Sequence, residues 1–207
     1  MPERRTRWTV AITAAVLLAV GGSLWAGLAG DGSDRQGKPE PAEPTRYFLN
    51  VSLGQVKAFP VEGRVRLRRL AGPAEAVRQT MSALYTTGFV DPGLWGGGRF
   101  PSLFDQFARE TRGQARRDLD QLSLGRGATR LAEVRPDQAI LRLRFLLDAR
   151  RRPVSALAAM EFSGTGVGEG FEVPIRHSGQ YVLQPTGDRW LIVGYEVRGR
   201  VGSGGGS

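Results

Sequence analysis

The chain has 207 residues and a formal charge of +9, with 29 Lys and Arg against 20 Asp and Glu. It contains no cysteine and a single histidine, His177. Disulfides, thiolate metal sites and a lipid-carrying cysteine are therefore excluded, and no metal site is expected. The excess charge is almost all arginine, Lys38 and Lys57 being the only lysines. A basic balance points to polyanions, here anionic lipid headgroups or acidic wall polymers. The arginines are nevertheless scattered, in Arg64–Arg69, Arg116–Arg117, Arg142–Arg144 and Arg150–Arg152, so most are read as solvated surface.

From Trp8 to Gly30 there is no charged residue, with Arg4, Arg5 and Arg7 just before and Asp31 and Asp34 just after. About 20 apolar residues cross a bilayer core as a helix. Residues 8–30 are accordingly expected to anchor the chain in the cytoplasmic membrane. The arginines of residues 1–7 should stay in the cytoplasm by the positive-inside rule, which places the rest outside. The competing reading is a cleaved signal peptide ending near Ala26 or Ala29, although the run is longer than the usual apolar region of about 7–15 residues. Residues 31–46, rich in Pro, Gly and charge, read as a disordered linker, and 201–207 as a flexible Gly/Ser tail.

One extracytoplasmic domain is expected over 47–200. Its lead-in, 47–70, alternates weakly and reads as one or two strands docked on the main sheet, with Val65, Leu67 and Arg69 on one side. A helix is predicted from about Pro73 to Phe89, with Val77, Met81, Leu84 and Tyr85 on one face and Gly88 and Asp91-Pro92 at its end. Gly93–Phe100 reads as a loop carrying Trp95. A second helical region is predicted from Pro101 through Leu103, Phe104 and Phe107 to about Leu122. A short strand then covers Thr129–Val134, ahead of a turn at Arg135–Asp137.

Period-two patterns follow. Leu141, Leu143, Phe145 and Leu147 form one row, and Val154, Ala156, Ala158, Met160 and Phe162 a second. Phe171, Val173, Ile175, His177, Gly179, Tyr181 and Leu183 form a third, with a bulge expected near Pro174 or Gly179. Leu191, Val193, Tyr195 and Val197 form a fourth. Short turns between such rows predict an antiparallel meander, so the fold class is α+β with helices on one face of a sheet.

The last of these strands, in GDRWLIVGY (Gly187–Tyr195), resembles the closing strand of the nuclear-transport-factor-2-like superfamily. The order of basic tail, anchor, Pro-rich linker and one such domain is similar to actinobacterial mammalian-cell-entry-associated membrane proteins, and to anchored accessory proteins of Gram-positive conjugation systems. The resemblance implies a cone of curved antiparallel sheet around helices, and is compatible with a homodimer through the open sheet face. In cone-fold isomerases and dehydratases an Asp or His near a Tyr moves a proton. Asp105, Asp118, Asp148, Tyr85, Tyr181 and Tyr195 are residues of those types here, and none matches a family motif position.

Chemistry is thinly represented. His177 shares a face with Ile175 and Tyr181 and is the one candidate general base, though a lone His without an acid or metal partner is more often structural. Gly164–Gly170, GTGVGEG, joins two predicted strands and lacks the third glycine of a dinucleotide fingerprint, and no nucleophile elbow occurs in the folded region. Trp95, Phe104 and Tyr181 are the candidate pocket-lining aromatics. No cofactor is expected. The resulting expectation is a non-catalytic accessory protein with a protein partner in a bacterial envelope assembly. The alternative is a cone that binds, or transfers a proton on, a small apolar molecule.

Overall fold

The computed structural model describes residues 48–59 and 67–201. The expected basic tail, anchor, linker and Gly/Ser tail lie outside the described residues, apart from Val201, which ends the last strand. Among the described residues no helix is long and apolar enough to cross a membrane.

The domain is mixed α+β, a curved five-stranded sheet packed on a helix. The chain runs through β1 (Ser52–Phe59), α1 (Ala71–Tyr85), α2 (Arg112–Arg117) and α3 (Leu119–Leu122). The long strands β2 (Leu131–Leu147), β3 (Pro153–Gly168), β4 (Phe171–Thr186) and β5 (Arg189–Val201) follow, and the strands lie side by side in chain order. β2 to β5 form the expected antiparallel meander, whereas β1 docks parallel to β2. The Leu67–Leu70 part of the lead-in is not a strand but a single 3-10 turn leading into α1.

Helix α1 has Pro73 in its first turn, where the missing N–H has no intrahelical partner to lose. Ala74, Val77, Thr80, Met81, Leu84 and Tyr85 are buried. Glu75 and Arg78 pair at 2.6 Å on the solvent side. The helix widens into one π turn, Thr86–Val90, with all five residues buried. Asp91 breaks it in an extended conformation, as a residue before proline prefers. Gly88 sits where a Cβ would lie 2.9 Å from the Leu122 carbonyl, so only glycine lets this turn approach the end of α3.

The second helical region is not one helix. A 3-10 segment, Pro101–Gln106, gives way at Phe107 to extended backbone, followed by the short α2 and α3. The edge of β5 causes the break. Phe107 bridges to Ile192, and the Ala108 N–H donates to the Ile192 carbonyl at 2.9 Å. Thr80 Oγ1 donates to the Trp190 carbonyl at 2.8 Å and Thr111 Oγ1 to that of Val193 at 3.1 Å. Tertiary hydrogen bonds to a sheet edge outweigh the modest propensity of this polar stretch to stay helical.

Four strand expectations are corrected. The turn at Arg135–Asp137 does not exist; β2 runs straight through, and the pairing slips by one residue between Pro136 and Gln138. A bulge absorbs the proline that would otherwise break the ladder. Gly164–Gly168 belongs to β3, not to a loop, and only Glu169-Gly170 turns the chain. In β5 a bulge at Val193 shifts the phase, so that Trp190 and Ile192 are buried ahead of it, in place of Leu191 and Val193. No bulge interrupts β3–β4 pairing near Pro174 or Gly179, and His177 keeps the phase of its row.

The core lies between α1 with its π turn and the inner face of the sheet. Tyr85, Phe89, Phe107, Phe145 and Tyr181 are each at most 2% exposed and fill it together with Met81, Leu84, Leu141 and Ile192. Each such side chain stabilises the fold by about 1.5–3 kcal/mol relative to exposure.

Candidate functional site

Three polar rings meet inside this apolar core. Tyr85 comes from the last turn of α1, while His177 and Tyr181 lie on the inner face of β4 with Gly179 between them. Gly179 is required by sterics. A Cβ there would sit 2.7 Å from the Tyr181 ring and 2.8 Å from Val197. Gly199, directly across from His177 on β5, leaves the same kind of hollow, its would-be Cβ 3.1 Å from His177 Cδ2.

Hydrogen bonding orients all three rings. His177 Nε2 lies 2.8 Å from the Gln121 carbonyl, which can only accept, so in the neutral ring the proton sits on Nε2. Nδ1 must then accept, and Tyr85 donates its hydroxyl proton to it at 2.8 Å. The Tyr85 oxygen is left as an acceptor for the Tyr181 hydroxyl at 3.2 Å. The donors run in one direction, Tyr181 to Tyr85 to His177 to Gln121. Phe89 and Phe162 complete the surroundings, with the Phe89 ring centred 4.7 Å from His177 and 5.6 Å from Phe162.

Burial shifts every titration here. Loss of water lowers the His177 pKa to about 4, only partly offset by the hydrogen bond to Gln121. The same desolvation raises both tyrosines, which stay protonated at any physiological pH. At neutral pH His177 is an uncharged acceptor held by two partners, and a base must first lose one of them to take a proton from elsewhere.

A Tyr–acid pair sits nearer the surface. The Tyr195 hydroxyl donates to Asp118 Oδ2 at 2.7 Å, joining β5 to the start of α3. Burial first, then this bond, raises the Tyr195 pKa. Asp105 is exposed, and Asp148 closes the β2–β3 turn by accepting the Arg152 N–H. Of the aspartates and tyrosines singled out in the sequence, the fold thus brings Asp118 to Tyr195, and Tyr85 to Tyr181 and His177.

The three expected pocket aromatics do not share a pocket. Tyr181 is in the core described above. Trp95 is 3% exposed, packs on Phe100 and has no hydrogen-bond partner for its Nε1 among the described residues. Phe104 lies beneath Arg116, whose guanidinium carbon is 5.3 Å from the ring centre. The groove that His177 does border, about 900 Å³, is lined by other residues, among them Gln121, Glu161, Arg176 and Arg198.

Against known protein families, curated proteins and solved structures, the chain shows no match. The site is therefore read from its own geometry. The sequence pattern placed His177 and Tyr181 on one face, but gave no sign that Tyr85 would meet them across 92 residues. The only hint is that Tyr85 ends the apolar stripe of its helix.

Proposed function

We propose that this chain is a single-pass, membrane-anchored accessory protein of a bacterial cell envelope. Residues 8–30 hold it in the cytoplasmic membrane, and its domain, a cone of the nuclear-transport-factor-2-like kind, docks outside on a partner protein without turning over a substrate. The observation that supports the docking reading is the state of the one histidine. His177 is 4% exposed, with both ring nitrogens hydrogen-bonded inside the core and aromatic rings packed around it. A polar group held so completely stabilises a scaffold and offers no free lone pair to a substrate.

The test is crosslinking of the full chain in intact cells, followed by affinity recovery from solubilised membranes. A defined protein partner should be recovered, and it should persist with His177→Asn once the variant is shown to be folded. Failure to recover a stable partner would overturn the proposal. The second reading, proton transfer by His177, is favoured by the continuous chain of hydrogen bonds from Tyr181 to a residue that borders a groove. It requires the partner-binding and any substrate-dependent activity to separate, with activity alone lost on Tyr85→Phe.

A further inference from the structure

The groove beside His177 and Gln121 extends to outward-pointing polar residues of β2, β3, β4 and β5, namely Gln138, Ser163, Glu161, Arg176, Ser178 and Arg198. The register organises these side chains. Ser163 on β3 is paired with Arg176 on β4, and Ser178 on β4 with Arg198 on β5. Each arginine therefore has a serine hydroxyl directly across from it. The two arginines are diagonal neighbours on adjacent strands, a spacing of roughly 7–8 Å that long side chains close easily.

The acids nearby leave this cluster positive. Glu161 is held by Arg142 at 2.5 Å. Glu196 pairs with Arg198 at 3.2 Å, with both side chains largely exposed, and such a pair exchanges readily. Arg176 takes part in no ion pair among the described residues. We infer that this groove binds a phosphate group, clamped between Arg176 and Arg198 with the Ser163 and Ser178 hydroxyls as further donors. A carboxylate offers two oxygens, which one guanidinium satisfies; a tetrahedral phosphate offers enough acceptors for both arginines and both serines. The inference goes beyond the anchored-scaffold reading and does not depend on it, since a soluble phosphate compound and a lipid headgroup carry the same group.

The full chain in a neutral detergent is titrated calorimetrically with inorganic phosphate and, separately, with dihexanoyl-phosphatidylglycerol. Saturable binding is expected, weakened about tenfold or more when Arg176→Gln and Arg198→Gln are combined, and weakened again as salt is added. Ser178→Asp, which sets a negative charge between the arginines, should weaken it similarly, while Arg150→Gln with Arg152→Gln in the distant turn should not. All of these positions are exposed, and thermal melts establish that each variant is folded. Tighter binding of the short-chain lipid than of phosphate identifies a headgroup as the source, and equal binding a soluble compound. Absence of saturable binding of both probes overturns the inference. So does binding that survives the double substitution, or that falls equally in the Arg150/Arg152 control.

Discussion

Gly179 and Gly199 make the hollow in which His177 and Tyr181 lie, and neither glycine is there for a turn. Adding one methyl at Gly179 places it inside contact distance of the Tyr181 ring and of Val197. Gly179→Ala should cost about 1–3 kcal/mol by overpacking, read as a lower urea midpoint with an unchanged slope. The histidine itself makes stability depend on pH. The folded state keeps His177 neutral down to about pH 4, whereas the unfolded chain binds a proton near pH 6.5. Above that value the contribution is fully present, and as pH falls toward 4 the unfolded state gains protons and about 3 kcal/mol is lost. His177→Gln should flatten this part of the pH–stability curve, and an unchanged slope in that variant would assign the effect to other groups. The residue types of this cluster were legible in the sequence, as was the shared face of His177 and Tyr181. The contact with Tyr85 was not, because it depends on how α1 crosses the sheet.

Buried rows followed the sequence wherever period alone decides them. The core rows of β3 and β4 fall at the alternating positions, except that Val154 at the start of β3 is exposed, and α1 buries the stripe that its spacing predicts. Misreadings cluster where one residue is inserted or where an edge captures the chain. Pro136 looked like a turn because a bulge can hold a proline inside a strand, and local composition does not distinguish the two cases. Leu191 and Val193 looked buried because the alternation was extended backward from Tyr195 through a bulge. Deleting Val193 tests that account. Without the extra residue, either Trp190 and Ile192 or Tyr195 and Val197 must turn to the outer face. Loss of Trp190 and Ile192 burial alone removes about 1.5–3 kcal/mol per side chain, so the deletion should cost more than about 3 kcal/mol in urea denaturation. Val193→Ala keeps the spacing and should cost far less.

At the scale of the whole molecule, the long strands set the distance between the two ends of the sheet, and the charge pattern differs between its faces. The inner face is sealed by aromatic rings; the outer face carries Lys57, Arg142, Arg144, Arg176 and Arg198 beside exposed Phe59, Leu146 and Val182. On the proposed reading, the outer face is the surface on which a partner would have most to recognise, and sidedness becomes the decisive property. The β2–β3 turn offers a direct probe. Arg150, Arg151 and Arg152 are exposed, Arg151 has φ +59 there, and trypsin cuts such loop tips ahead of paired strands. If residues 8–30 anchor the chain with its N-terminus in the cytoplasm, trypsin added to intact protoplasts should produce a cut at this turn, and Arg150→Gln, Arg151→Gln and Arg152→Gln together should remove it. A chain cut only after lysis would have the opposite topology, and an extracytoplasmic scaffold could not be built on it.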